Sequence, residues 1–267
     1  MIIFTDLDGT LLDRADYSYG DAEPALKLLK AKGIPLIFCS SKTTAEQEAL
    51  RKEMGLSHPF IVEDGGATFI EKDYFRFPYT HGRKLDNYHV IEYGTPYEEI
   101  RRILKLIVCE AGLEITGYGD MSVAQIVDKT GLNPKAAARA KTRQYQETIV
   151  NHMNTEEIRH LDQALDAYGL RLSRGTRFYG VMGNNDKGRA AVDLIELYRR
   201  EYGEVLAVGI GDSGNDRPLL SVVDKPMLVR KSDSTWENIN HPDLIRIDGI
   251  GPVGWNCGVI EMLSSTG

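Results

Sequence analysis

The sequence has few cysteines and no long hydrophobic run. Its three cysteines, Cys39, Cys109 and Cys257, lie far apart and lack the close spacing of a zinc or redox motif. A sparse, odd number of cysteines is typical of the reducing cytosol, so we expect a cytoplasmic protein. No apolar run approaches the roughly 20 residues of a membrane span. Asp6 and Asp8 also interrupt the short apolar start that a signal peptide would need.

Positive charge is scarce relative to negative charge. The 267 residues include 32 lysines and arginines against 39 aspartates and glutamates, a formal net charge of −7. That balance disfavours a general nucleic-acid or anionic-membrane surface. The six histidines form no ligand pair at helical spacing, and the glycine-rich stretches lack the Walker ending and the dinucleotide fingerprint. These absences leave a folded intracellular protein and name no activity.

Short apolar runs alternate with helical patterns near the start of the chain. Met1–Thr5, Pro35–Cys39 and Phe60–Val62 read as buried strands, separated by helical patterns over Asp21–Lys32 and from Thr43 onwards. Strand, helix, strand, helix, strand is typical of a parallel sheet with helices packed on it. The same rhythm returns at Val205–Ile210, after a long helical pattern.

The middle of the chain has a different character, with amphipathic helices and isolated strands that include Leu113–Thr116. We therefore predict an α/β fold in two parts. A Rossmann-like parallel-sheet core would comprise residues 1–81 and 175–267. An inserted α+β cap domain would comprise residues 82–174, and this segment is called the cap below.

The most informative segment is IIFTDLDGTLLD, from Ile2 to Asp13. Asp6 and Asp8 follow an apolar strand, and open α/β sheets bind ligands at the carboxyl ends of their strands. Gly9 lets the chain turn and direct backbone N–H groups toward an anion. A solvated turn would account for one acid, but less well for two acids with Gly-Thr behind a buried strand.

Three further polar positions lie where the predicted core strands end or a helix begins: Ser40, Lys187 and the pair Asp212 and Asp216. Each has an ordinary structural alternative. Ser40 suits the N-terminal cap of a helix, a lysine is commonly a solvated charge, and a Gly/Asp-rich segment is commonly a surface turn.

Taken in order, these segments resemble the four motifs of the haloacid dehalogenase-like phosphatases. The resemblance implies that Asp6 attacks phosphorus and that Asp8 is the general acid and base. An acyl-phosphate hydrolyses readily and splits one difficult displacement into two easier ones, while a second acid handles the protons. Ser40 would hold a phosphate oxygen, and Lys187 would neutralise the phosphate and Asp6.

The same resemblance implies a Mg²⁺ site. The Asp6 carboxylate, the Asp8 backbone carbonyl and the Asp212 carboxylate would supply oxygen ligands, which magnesium prefers. Asn215 and Asp216 would orient ligand waters or Lys187.

A closer resemblance, over nearly the whole chain, is to the mannosyl-3-phosphoglycerate phosphatase family, a sugar-phosphatase branch with an α/β cap. It rests on CSSKTTAEQEALRKEMGL, FIVEDGGATFI, GLNPKAAARAKTRQYQETIV, RGTRFYGVMGNNDKG and GDSGNDRPLLSVVDKPMLVRK. One departure is Asp64, which stands where that family usually has Asn.

This second resemblance implies a small phosphorylated glycoside as substrate, with a glycerate carboxylate beside the phosphate. Lys42, Arg143 and Arg177 would meet the carboxylate or the phosphate, and Glu147 would accept sugar hydroxyls. Surface solvation or helix pairing is the plain alternative for these four residues. The predicted substrate-binding set also includes Ser41, Asp64 and Gly65.

We therefore expect a Mg²⁺-dependent phosphomonoesterase that converts mannosyl-3-phosphoglycerate to mannosylglycerate and phosphate through an aspartyl-phosphate. A glucosyl-3-phosphoglycerate phosphatase and a general sugar-phosphate phosphatase stay open as alternatives. A phosphomutase, which would return the phosphoryl group to a sugar, and a non-catalytic phosphosugar sensor are less favoured, and the intact set of motif residues argues against the sensor. The sequence leaves the oligomeric state open.

Overall fold

The computed structural model describes residues 1–174 and 178–265. Its strands are β1 (Ile2–Thr5), β2 (Leu36–Phe38), β3 (Phe60–Val62), β4 (Ala67–Glu71), β5 (Arg83–Lys84), β6 (Tyr88–Glu92), β7 (Gln146–Ile149), β8 (Arg171–Arg174), β9 (Tyr179–Met182), β10 (Ala207–Gly211), β11 (Lys225–Arg230) and β12 (Ile245–Ile250). Its α-helices are α1 (Glu23–Lys32), α2 (Thr44–Met54), α3 (Tyr97–Ala111), α4 (Val123–Thr130), α5 (Pro134–Lys141), α6 (Thr155–Asp166), α7 (Lys187–Tyr202), α8 (Arg217–Leu220) and α9 (Gly251–Ser265).

A five-stranded parallel sheet in the order β12-β11-β10-β1-β2 forms the centre of the fold. All four residues of β1 are buried, because apolar clusters cover both faces of the sheet. The expected α/β core is therefore confirmed. Since β1, β2 and β10 run in the same direction, the residues that follow them meet at one edge of the sheet.

Helix α2 begins next to this edge. The Thr43 side chain accepts a hydrogen bond from the Glu46 N–H at 3.2 Å, and the Glu46 carboxylate accepts one from the Thr43 N–H at 2.9 Å. This reciprocal cap satisfies two donors that would otherwise lack partners. Thr43 is thus the N-terminal capping residue of α2. Ser40 does not have this role, which was the structural alternative to phosphate binding.

Strands β3 and β4 form an antiparallel hairpin, within a sheet of order β3-β4-β6-β5. At the hairpin turn, Glu63, Asp64 and Gly65 have φ values of +47°, +53° and +86°. A Cβ on Gly65 would lie 2.0 Å from the Asp186 carbonyl oxygen, so only glycine permits this approach. The turn is thereby pressed against the start of α7.

The cap contains a second antiparallel sheet, of order β7-β9-β8, with α3 and α6 packed on it. Strand β9 lies beyond residue 174, the predicted end of the cap, and yet pairs with both β7 and β8. The boundaries of the cap stay a prediction. The strand expected at Leu113–Thr116 is absent. Only Gly117 forms a bridge, to Ile149, because the chain turns at once into a single 3₁₀ turn at Tyr118–Asp120.

No helix in the described part of the chain is both long and apolar enough to cross a membrane.

Candidate active site

Three buried carboxylates meet at the edge of the parallel sheet. Asp6 follows β1, while Asp212 and Asp216 lie in the turn after β10, and one oxygen of each lies within 4.8 Å of the others. Burial raises the pKa of Asp6 well above its usual range, although the Lys187 ammonium opposes this. Burial and the Asp216 charge raise the pKa of Asp212 to about 7. The cluster therefore needs positive charge to stay ionised.

Lys187 supplies part of that charge from the first position of α7. Its ammonium Nζ lies 2.7 Å from Asp6 Oδ1 and 2.6 Å from Asp216 Oδ1, and 3.8 Å from Asp64 Oδ1. The side chain is fully buried. Burial alone would lower the pKa of Lys187, but Asp216 and Asp6 raise it above its usual value, so the ammonium stays charged.

Asp216 and Asp212 differ in how many partners they already have. Asp216 Oδ2 accepts hydrogen bonds from the N–H groups of Asp212 and Ser213, at 3.0 and 3.1 Å, and its Oδ1 accepts one from Lys187. Asp212 Oδ2 is buried and has no hydrogen-bond partner among the residues that the structure describes. The guanidinium of Arg14 is close to it, with Nη1 3.8 Å away.

The unpartnered Asp212 oxygen beside Asp6 fits a divalent cation that prefers oxygen ligands. Gly9 lies close to this oxygen. A Cβ at position 9 would lie 2.8 Å from Asp212 Oδ2, so a larger residue would crowd the space beside it. Asp216 belongs to the same acidic group, but its oxygens are engaged by Lys187 and two N–H groups. This arrangement matches the orienting role expected for it better than that of a ligand.

Asp8 lies two residues after Asp6 in the chain. Its Oδ2 is 2.9 Å from Lys42 Nζ, and its Oδ1 is buried without a hydrogen-bond partner in the described part of the chain. Lys42 Nζ also lies 3.7 Å from Glu46. Burial alone would lower the pKa of Lys42, but Asp8 and Glu46 raise it. Ser40, buried after β2, accepts a hydrogen bond on Oγ from the Lys42 N–H at 3.3 Å.

A cavity of about 180 Å³ lies above these residues and receives side chains from both the core and the cap. Asp6 and Asp8 lie on its core side. Arg143 lies on its cap side, with Nη1 donating to the Ser41 carbonyl at 3.1 Å and to Gln146 Oε1 at 2.9 Å. Its Nε is buried and has no hydrogen-bond partner among the described residues. The cavity thus has acidic groups, Arg14 and Lys42 on its core side and Arg143 on its cap side.

The predicted substrate-binding residues fall into three groups. Those that line the cavity are Ser41, Lys42, Asp64 and Arg143. Gly65 and Glu147 are outside its lining: Gly65 lies against the Asp186 backbone. The fully buried Glu147 carboxylate accepts hydrogen bonds from Tyr97, Arg101 and Gly119, at 2.9, 2.8 and 3.1 Å, within the cap. Arg177 lies outside the described residues.

Among the cavity-lining residues that the sequence analysis missed are Arg14, Tyr17 and Gln146. Arg14 and Tyr17 lie in the loop between the Asp6–Asp8 segment and α1, and Gln146 begins β7. Gln146 Nε2 donates to Asp64 Oδ2 at 2.9 Å. The position of the first two, just beyond the carboxyl end of β1, was a signal that the sequence already contained. Gln146 gave none, since an isolated glutamine in a polar segment is common.

The core sheet, the acidic cluster and the buried lysine define a class of hydrolase. The family model for haloacid dehalogenase-like hydrolases matches residues 3–240, and the chain belongs to that family. Within it, the chain is 44% identical over 98% of its length to a glucosyl-3-phosphoglycerate/mannosyl-3-phosphoglycerate phosphatase of Methanococcoides burtonii, of which 97% is covered. The resemblance to the mannosyl-3-phosphoglycerate phosphatase family is thereby confirmed.

A second relative, the mannosyl-3-phosphoglycerate phosphatase of Pyrococcus horikoshii, is 40% identical over 85% of this chain and 90% of its own. The expected class of enzyme, a phosphoric monoester hydrolase, agrees with both relatives. Among solved structures, a protein of Thermoplasma acidophilum superposes with a TM-score of 0.69 at 17% identity, over 98% and 97% of the two chains. A sugar phosphatase of haloacid dehalogenase subclass IIB superposes with a TM-score of 0.64 at 16% identity, over 99% of this chain and 98% of its own. These two structures support the assignment of the fold.

Proposed function

We propose that this protein is a Mg²⁺-dependent phosphatase that hydrolyses mannosyl-3-phosphoglycerate to mannosylglycerate and phosphate. The observation that carries the proposal is the cavity itself. Asp6, held by Lys187, lies at its core end, and a cap arginine with an unpartnered Nε lies at the other. This spacing of charge suits a substrate with a phosphate at one end and a carboxylate farther along.

In the first step, an Asp6 carboxylate oxygen attacks phosphorus and the bond to the glycerate oxygen breaks. Lys187 balances the Asp6 charge before attack and the phosphoryl charge afterwards. Asp8 gives the departing alkoxide a proton, and its buried Oδ1, free of other partners, is the atom that holds this proton. The products are an acyl-phosphate on Asp6 and the free glycosyl-glycerate.

In the second step, Asp8 takes a proton from water, and the resulting hydroxide attacks the acyl-phosphate to release phosphate and restore Asp6. Mg²⁺, held by the Asp6 carboxylate, the Asp8 carbonyl and the Asp212 carboxylate, would neutralise phosphate charge. Ser40 would bind a phosphate oxygen, and Asn215 and Asp216 would keep Lys187 and ligand waters oriented.

The cap would exclude bulk water from the cavity and recognise the leaving group. The core would recognise only phosphate. Ser41, Lys42, Asp64 and Arg143 are the substrate contacts that the cavity lining favours. The roles first expected for Gly65, Glu147 and Arg177 stay predictions.

A phosphate-release panel tests this proposal. The panel compares mannosyl- and glucosyl-3-phosphoglycerate with hexose phosphates, with and without Mg²⁺, and includes Asp6→Asn as the blank. We expect kcat/KM to be highest for the glycosyl-phosphoglycerates. Equal values for hexose phosphates would indicate a general sugar phosphatase. A requirement for an activating bisphosphate would indicate a mutase, and tight binding without turnover would indicate a sensor.

A further inference from the structure

One buried carboxylate outside the catalytic cluster joins the core to the cap. Glu63 lies at the turn between β3 and β4 and is fully buried. Its carboxylate accepts four hydrogen bonds from three successive backbone N–H groups at the start of β7. Gln144 N–H lies 2.9 Å from Oε1 and 3.1 Å from Oε2, while the N–H groups of Tyr145 and Gln146 each lie 2.9 Å from Oε2. A single core side chain therefore binds the backbone of an entire cap segment.

The backbone at Glu63 is in an unusual conformation. Glu63 and Asp64 both have positive φ, at +47° and +53°, and for residues other than glycine this conformation is uncommon and strained. A glycine at position 63 would relieve the strain but would remove the carboxylate. Strain that the surrounding contacts maintain is found most often at functional sites. The turn is thus shaped by what its two side chains bind.

Glu63 has no salt-bridge partner within 4.0 Å among the described residues, so its charge is balanced by the N–H groups and by more distant Arg143. Burial raises the pKa of Glu63 to about 7, although Arg143 and the backbone hydrogen bonds oppose this rise. A buried carboxylate without a close cation is a costly way to join two segments. Its geometry, with one carboxylate facing three consecutive donors, instead suits fixing a backbone position.

The segment that Glu63 holds is flanked by or contains two of the polar cap residues that line the cavity. Arg143 immediately precedes it, and Gln146 ends it. Arg143 Nη1 donates to Gln146 Oε1, and Gln146 Nε2 donates to Asp64 Oδ2. Asp64 Oδ1 accepts a hydrogen bond from Asn215 at 3.1 Å and lies 3.8 Å from Lys187. Hydrogen bonds therefore run from the cap arginine to the neighbours of the catalytic lysine.

We propose that Glu63 is a positioning residue. Its carboxylate fixes the backbone of residues 144–146, and thereby sets where Arg143 and Gln146 stand over the cavity. Glu63 touches neither phosphate nor leaving group. It acts on recognition of the glycosyl-glycerate part through Arg143, and leaves the Asp6–Lys187 pair, on which phosphoryl transfer depends, in place. This inference rests on the proposed function for the identity of the leaving group.

The test compares kcat and KM of Glu63→Gln with those of the wild type, on mannosyl-3-phosphoglycerate and on p-nitrophenyl phosphate, which lacks a glycerate. The variant keeps one acceptor oxygen but turns an NH₂ group toward the Gln144 N–H. We expect KM for the glycosyl substrate to rise about tenfold, as for loss of one charged hydrogen bond, with kcat/KM for the small ester changed less than about twofold.

Thr44→Ala is the matched control. Thr44 Oγ1 donates to Gln144 Oε1 at 2.8 Å, so this variant removes another core–cap contact to the same segment without freeing its backbone. We expect little change in either KM. An equal loss of Glu63→Gln activity on both substrates, parallel to its loss of thermal stability, would show a merely structural role and overturn the proposal.

A double-mutant cycle with Arg143→Ala provides the sharper readout. If Glu63 acts through Arg143, Glu63→Gln adds little to KM once Arg143 is absent, whereas independent roles give additive changes. Additivity would therefore refute the proposal. Should Glu63→Gln fail to fold, Glu63→Asp shortens the side chain and withdraws the carboxylate from the same three N–H groups, and a KM unchanged by it would also count against the inference. Wild-type inactivity on both glycosyl-phosphoglycerates would instead refute the proposed function.

Discussion

The core and the cap each have a cation beside the cavity, fully buried Lys187 and half-buried Arg143, and the two are neutralised differently. At the core end, Lys187 lies 2.6 and 2.7 Å from two carboxylates. At the cap end, Arg143 donates to a backbone carbonyl and an amide oxygen, and no carboxylate of the described residues lies within 4.0 Å of it. The core is organised to keep its own charges balanced. The cap end keeps positive charge available for an incoming anion.

This contrast indicates a division of work. Paired charges that are fixed before substrate arrives suit a reaction whose catalysis consists of positioning and electrostatic stabilisation. A cation with no carboxylate at ion-pair distance suits binding, because it can still form a close ion pair with a substrate anion. The first three substitutions below break one end at a time, and the fourth addresses the residue between them.

The largest effect is expected for Asp6→Asn. An amide cannot form the acyl-phosphate, so phosphate release should fall by at least about a thousandfold. The fold should persist, because Lys187 keeps Asp216 as a partner and one buried carboxylate is removed. Phosphate release and circular dichroism check this result. Retained turnover above about a tenth of the wild-type rate would exclude Asp6 as nucleophile.

Lys187→Met should affect both activity and stability. It leaves Asp6 and Asp216 buried without their cation, and breaking a buried pair from one side costs about 3–5 kcal/mol. Without the ammonium that opposes it, the pKa of Asp6 rises further, so the folded variant binds a proton there more readily than the unfolded chain does. Its stability deficit should therefore be largest near neutral pH and shrink as pH falls. Urea unfolding at several pH values measures this, and a deficit independent of pH would contradict the electrostatic explanation.

Arg143→Ala should act on recognition. A charged hydrogen bond to a substrate carboxylate contributes about 1.5–3 kcal/mol, so kcat/KM on mannosyl-3-phosphoglycerate should fall by about ten- to a hundredfold. Hydrolysis of p-nitrophenyl phosphate should change by less than about threefold. Steady-state kinetics on the two substrates separates these effects. Equal losses would mean that the two ends of the cavity are not independent.

The core end could be predicted from sequence because its signals are local. The Asp6–Asp8 segment follows its strand directly, α7 begins at Lys187 as expected, and the cap of α2 is encoded by Thr43 and Glu46, three residues apart. In each case the functional residues lie next in sequence to the strand or helix that positions them. Their meeting at one edge then follows from the parallel direction of the strands.

The cap end could be predicted only in part, because its contacts are long-range. Gln146 reaches Asp64 across 82 positions, and Glu63 reaches the Gln144 N–H across 81. Neither contact produces a short, regular spacing of residues, so neither could be predicted from the sequence. The strand expected at Leu113–Thr116 is absent for a related reason. Its alternating apolar pattern correctly indicated partial burial, but only Gly117, one residue beyond this segment, pairs with another strand. Tertiary contacts decided these details.

The smallest effect is expected for Asp64→Asn, which changes the residue between the two ends to the family's usual one. Asp64 accepts a hydrogen bond from Asn215 on one carboxylate oxygen and from Gln146 on the other. An asparagine has only one oxygen, so it can accept only one of these two bonds in the same geometry. Losing one hydrogen bond to a charged group costs about 1.5 kcal/mol at the lower end of the usual range, so we expect about a tenfold change. Because Lys187 keeps its two closer carboxylates, the change should fall on KM for mannosyl-3-phosphoglycerate rather than on kcat. A fall in kcat with KM unchanged would place Asp64 with the catalytic end, and would move the boundary between the two regions to Gln146.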